Sequence, residues 1–156
     1  MEKVMPTARL IHPTAELYLD GLFCYQQVAN QTNAFLKWRY ARLSVLAFYA
    51  SLEASINRVP NMDSSLKMAE KWKTRFDLPS EDYEFQKFVS FKRVRIAISH
   101  YDGSSTATRR MYGDLEESID EFRQTTRDML VRNHGEEVLT SWENNMTPRD
   151  YSRREA

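Results

Sequence analysis

Within the run FKRVRIAISHYDG, residues 91–103, two arginines, Arg93 and Arg95, precede a histidine, His100, near the end of what the spacing predicts to be a helix. Imidazole is the side chain whose ordinary pKa lets it exchange protons near neutral pH, and a nearby guanidinium presents a rigid fork of donors to phosphate oxygens. These residue types at this spacing predict chemistry on a phosphodiester, RNA cleavage first among the options.

Helix geometry leaves the choice of arginine open. At about 100° per residue, positions 95 and 100 stand about 140° apart, whereas 93 and 100 fall within about 20° of each other. Arg93 shares a face with Ala97 and His100 if the helix stays regular, and Arg95 reaches across if it loosens near Ser99. Glu53, on one face of an earlier helix with Leu46, Tyr49, Ala50 and Asn57, is expected to pair with one of these arginines. Such a pair is first a structural ion pair, and it can position a catalytic arginine as well. The purely structural alternative is a histidine stabilised by the helix dipole, beside arginines that bind carboxylates of a later acidic helix.

The elements that must carry these residues read as helices throughout. Four glycines, five prolines, no NG-type hairpin signal and little period-2 alternation argue against a sheet of any size. A first helix is expected to open after Pro13 with Thr14 as its cap, to turn Leu17, Leu19, Phe23 and Val28 inward, and to end near 30–33. The second carries the clearest stripe, Val45, Phe48, Leu52, Ile56 and Val59, stopped by Pro60. A short basic helix from about Ser64 to Phe76 follows, ended by Asp77-Leu78-Pro79. Ser80 is expected to cap a fourth, with Glu81 and Asp82 in its first turn and Phe88, Phe91, Val94, Ile98 and Tyr101 on one face, closing at Asp102-Gly103. After a polar loop at 104–108, a fifth helix takes Asp114 and Glu117 as a capping box and lines up Leu115, Ile119, Phe122 and Met129. Gly135 should break it, leaving a short helix from Glu136 to Asn145. The expected architecture is all-α, an up-and-down bundle of four to five helices spanning 14–146, with an N-terminal arm at 1–13 and a flexible C-terminal tail at 147–156.

Bulk properties agree with one folded domain. A chain of 156 residues is long enough to bury roughly 68–70% of its unfolded surface. Lysine and arginine number 22, aspartate and glutamate 22, so net charge gives no sign of a nucleic-acid partner. Its distribution says more. From Glu84 to Tyr112 six basic side chains stand against two acidic ones, and from Gly113 to Glu137 eight acidic against three basic, a dipolar layout that suits either two solvated helix faces or a groove for phosphates. The lone cysteine, Cys24, sits in an apolar run where it packs as a small hydrophobe, and an intracellular, cytoplasmic location is the expectation. No run approaches a membrane span, and Met1 to Arg9 lacks the apolar core of a signal peptide.

The pair Arg95 and His100, with four residues between them, resembles the Arg-x4-6-His motif of the HEPN superfamily, and Arg93, with six between, also satisfies it. Phe48-Tyr-Ala-Ser-Leu-Glu-Ala-Ser-Ile-Asn57 is similar to the aromatic and small-residue helix these domains often show, and the resemblance extends over Leu17 to Met129. It implies that His100 acts as general base or acid on a ribose 2′-hydroxyl or leaving oxygen, that Arg95 or Arg93 stabilises the developing phosphorane charge, and that no metal or other cofactor is needed. It also implies a homodimer built around the site, with Ser99 and Tyr101 beside it and an RNA substrate cleaved in a toxin-antitoxin or defence setting, under a possible antitoxin partner. The sequence departs from the active members' pattern in two places. An apolar residue follows each arginine (Val94, Ile96), and Tyr101 comes directly after the histidine, with Asp102 where a modifiable tyrosine would stand.

The remaining residues support less. His12, His100 and His134 lie in separate segments without helical metal-ligand spacing, so a metal-binding bundle is the weakest alternative. No phosphate-cradling glycine loop and no Gly-x-Ser-x-Gly occur. Of Trp38, Trp72 and Trp142, the first two stand beside basic residues (Lys37 and Arg39, Lys71 and Lys73) and could stack bases, though for all three covering a bundle edge or a dimer contact is the plainer role. The rival to an RNA enzyme is a non-catalytic helical module that recognises a protein partner.

Overall fold

Among its described residues this computed structural model has six helices: α1 (Pro13–Asn30), α2 (Ala34–Asn57), α3 (Met68–Phe76), α4 (Tyr83–Ser99), α5 (Thr106–His134) and α6 (Glu136–Asn144). The structure describes residues 12–99 and 106–144, and at 97, 99, 106–114, 116 and 117 the course of the backbone alone; no strand occurs among the described residues. Four helices are long, and two, α3 and α6, are nine-residue pieces set against them.

Pro13 opens α1 at the position where a missing N–H costs nothing, and the cap is His12, not Thr14. His12 Nδ1 accepts from the Ala15 N–H at 3.3 Å, while Thr14 falls inside the first turn and is buried. The three residues 31–33 join α1 to α2, so the two run antiparallel; Asn33 caps α2 by accepting from the Leu36 N–H at 3.2 Å. Gly21 lets the Phe48 ring of α2 lie directly against the α1 backbone. A Cβ there would clash with the Phe48 ring, and Ser44 Oγ donates to the Gly21 carbonyl at 2.8 Å. This contact fixes the rotation of α1. Tyr18, Leu22 and Val28 turn inward, Leu17 and Leu19 are half-buried, and Phe23, expected inside, stands 54% exposed.

The α2 stripe lies where its spacing puts it: Val45, Phe48, Leu52 and Ile56 are fully buried, and Val59 packs on the core just past the helix end. α3 starts at Met68, later than Ser64, because Asp63 Oδ1 takes the Ser65 N–H at 2.9 Å and its hydroxyl at 2.7 Å, an Asx turn that competes with helix. Asp77 ends it in the left-handed region, φ 48°. α4 is capped by Asp82, which accepts from the Phe85 N–H at 2.9 Å; Ser80 lies in the turn before it and instead receives Lys73 Nζ at 2.9 Å.

α5 begins at Thr106, so positions 114 and 117 lie in its interior and not at its start. Gly113 is carried through because an interior glycine costs only about 1 kcal/mol against the strong helix formers around it. Leu115, Ile119, Phe122 and Met129 are buried as their spacing predicts, and Phe91 stacks on Phe122 at 4.9 Å to join α4 to α5. Gly135, at φ 93°, reverses the chain into α6, whose Leu139 is fully buried. An Arg127 clamp holds α6. Its guanidinium donates to Glu143 at 2.9–3.2 Å and to Glu136 at 2.7 and 3.2 Å, and Tyr18 Oη of α1 donates to Glu143 at 3.0 Å. Burial and the Glu143 carboxylate push the Tyr18 hydroxyl far above its ordinary value, so it remains a donor.

Candidate functional site

Arg95 stands on the inner side of α4 and reaches α2. Its guanidinium carbon lies 5.1 Å from the centroid of the Tyr49 ring, and Nη2 stands 4.0 Å from Glu53 Oε1. Tyr49 and Glu53 are four residues apart on one face of α2, so one helix offers both the π face and the carboxylate. Tyr49 is itself held rigidly, stacked with Phe88 at 6.2 Å and edge-on to Phe91 at 5.6 Å. Burial, helped by Glu53, raises its hydroxyl pKa, while Arg95 pulls the other way.

The Arg95 side chain is 35% exposed and that of Glu53 43%. An ion pair this long and this open to solvent contributes at most about 1 kcal/mol. Together with the ring it orients the guanidinium without using up its donors, which leaves a fork that can meet a phosphate.

Arg93 is on the other side of α4, exposed, with no ion pair among the described residues. Of the two arginines weighed against Glu53, the structure therefore pairs Arg95. α4 is helical to Ser99; the Ser99 side chain, His100, Tyr101 and the Asp102-Gly103 stop lie outside the described residues. Tyr49 is the site residue that sequence reasoning missed as such, although its place one turn before Glu53 in an aromatic stretch carried the signal.

The charge layout is partly consumed across the bundle. Lys87 of α4 stands 3.9 Å from Glu121 of α5 and over the Tyr83 ring at 4.3 Å, and Arg132 of α5 meets Glu84 at 2.6 Å and Asp82 at 3.7 Å. Trp72 is fully buried and stacked on Phe76 at 5.6 Å, which removes it as a base platform. Trp142 packs between His12 and His134, at 5.0 and 5.1 Å. The two histidines, far apart in sequence, are neighbours at 5.7 Å, yet no group of three or more metal-ligating side chains occurs among the described residues. Cys24 is free and half-buried, and burial raises its thiol pKa. No described helix is long and apolar enough to cross a membrane.

No protein-family model matches the chain, and neither curated proteins nor solved structures give a match.

Proposed function

We propose that this protein is a HEPN-like, metal-independent endoribonuclease or RNA-binding protein whose site centres on Arg95. The observation that supports this most is the seating of Arg95 on the Tyr49 ring beside Glu53, five positions before His100 on the same segment. In this reading Arg95 holds a non-bridging phosphate oxygen, His100 takes the ribose 2′-hydroxyl proton as the 2′-oxygen attacks phosphorus, and the P–O5′ bond breaks, leaving a 2′,3′-cyclic phosphate and a 5′-oxygen that takes a proton from water. Arg93 adds a second cation on the outer side of α4. A homodimer, a cytoplasmic toxin-antitoxin or defence setting and an antitoxin partner belong to the same proposal.

Incubating the protein with total RNA in EDTA tests it. Cleavage that persists in chelator, is abolished by His100→Ala and falls about 10²-fold or more with Arg95→Ala supports the reading. Cleavage by the His100→Ala protein at the wild-type rate overturns it. A second reading, a module that binds a protein partner, draws on Phe35, Leu36 and Leu43, large apolar side chains exposed on α2. A folded protein that neither cleaves nor retains RNA favours that reading.

A further inference from the structure

At the end of the bundle where α1 begins and α6 closes, two imidazoles are built into the joint. His12 ends α1 with Nδ1 accepting the Ala15 N–H, a bond that only an unprotonated Nδ1 can receive. His134, the last residue of α5, has Nε2 2.7 Å from the hydroxyl of Ser55, itself buried in α2. Asn133 Nδ2 donates to that hydroxyl oxygen at 2.7 Å and to the Ser55 carbonyl at 3.3 Å, and a neutral His134 with its proton on Nδ1 takes the hydroxyl proton on Nε2. A protonated ring would turn this bond around and send the hydroxyl proton in search of another acceptor. The two rings lie 5.7 Å apart, and each packs on Trp142 of α6.

Burial and the nearest cations disfavour protonation, against a backbone hydrogen bond that favours it at His12. Arg58, just past α2, acts on His12, and each imidazolium would face the other. On α6, Glu143 and Glu136 are occupied by Arg127, with Tyr18 of α1 also on Glu143; the further carboxylates in the first turns of these two helices, Glu137 and Glu16, are exposed to solvent. From α1, a cation at His12 would sit at the positive end of the helix dipole, whereas His134, the last residue of α5, sits at a negative end that favours its cation, so there burial and the facing His12 ring must outweigh the dipole.

We propose that His12, His134 and Trp142 form a proton-operated latch that fastens α6 and the first turn of α1 to the α2–α5 pair when both rings are neutral and releases them when the rings are protonated. Burial is the main cause lowering both histidine pKa values. The sign follows: a folded pKa below the unfolded one means that unfolding or opening takes up protons. Stability is complete above the ordinary histidine value, about 6.5, and declines as pH falls from there toward the folded-state values.

Amide hydrogen exchange, corrected for its intrinsic pH dependence, reads the latch directly. Between pH 7.5 and 5.5 the opening of residues 136–144 and of the first turn of α1 should rise at least about fivefold, with α2 and the middle of α5 unchanged. The paired control is His12→Ser with His134→Gln, which keeps a cap and a side-chain polar group but removes both titrating rings. It should lose the pH dependence at both sites while retaining His100. Equal opening at the two pH values, or the same pH dependence in the double variant, overturns the proposal. Ring pKa values for His12 and His134 at or above 6.5 by NMR would overturn it independently of whether the double variant folds.

Discussion

A single arginine carries the functional argument, and its environment says what should matter about it. Arg95 lies on a rigid aromatic face and faces a carboxylate at long range, so its geometry is fixed more by shape than by ion pairing. Arg95→Lys keeps the charge and loses both the stacking plane and the fork. If the proposed function holds, this substitution lowers RNA cleavage or retention by roughly tenfold or more, while the denaturant midpoint moves by less than about 1 kcal/mol of stability. Unchanged RNA activity together with a larger loss of stability would reassign Arg95 to the scaffold. At the same scale the sequence was informative about residue types and poor about environment. Glu53 was legible as a partner for an arginine, and Arg95 over Arg93 was not, because the choice depends on which side of α4 faces α2.

Among the elements, α6, like α3, is a nine-residue helix that buries a single side chain against the bundle. One buried leucine, the latch histidines and the Arg127 clamp hold nine residues that could not remain helical alone. Arg127→Ala removes the partner of two carboxylates and leaves Glu143 facing Tyr18. It should cost about 1–3 kcal/mol and raise exchange in 136–144 well before α2 is affected. Exchange rising equally in every helix would mean that α6 is no separate unit. The misplaced helix ends have one physical origin. Caps compete locally, and the winner depends on which side chain the folded chain delivers to the free N–H groups: His12 over Thr14, Asp82 over Ser80. At α3 the Asx turn at Asp63 prevails over the short basic helix expected from about Ser64.

At the scale of the whole molecule, the α1–α2 interface sets the arrangement of the rest, and it closes on Gly21. A methyl group there must displace a fully buried Phe48 ring that also touches Tyr18, at 6.0 Å between centroids. Gly21→Ala should therefore lower the unfolding free energy by about 1–3 kcal/mol in a urea titration, despite its better helix propensity. A stabilised Gly21→Ala protein would show that the two helices can separate without cost. Against a total of about 5–15 kcal/mol for a domain of this kind, that single methyl is a substantial fraction.

Composition, periodicity and turn chemistry determined that the described elements are helical, that Val45, Phe48, Leu52 and Ile56 face inward and that Gly135 breaks the fifth helix, because these follow from backbone geometry and local burial. Tertiary structure decided what local rules leave degenerate. Phe23 faces outward because Gly21 fixes the turn of α1, Trp72 is interior, Tyr49 lies beneath Arg95, and His12 meets His134 across more than a hundred residues. Each of these depends on the rotation and approach of one helix against another. That is a property of packed pairs, which no window of a single helix contains.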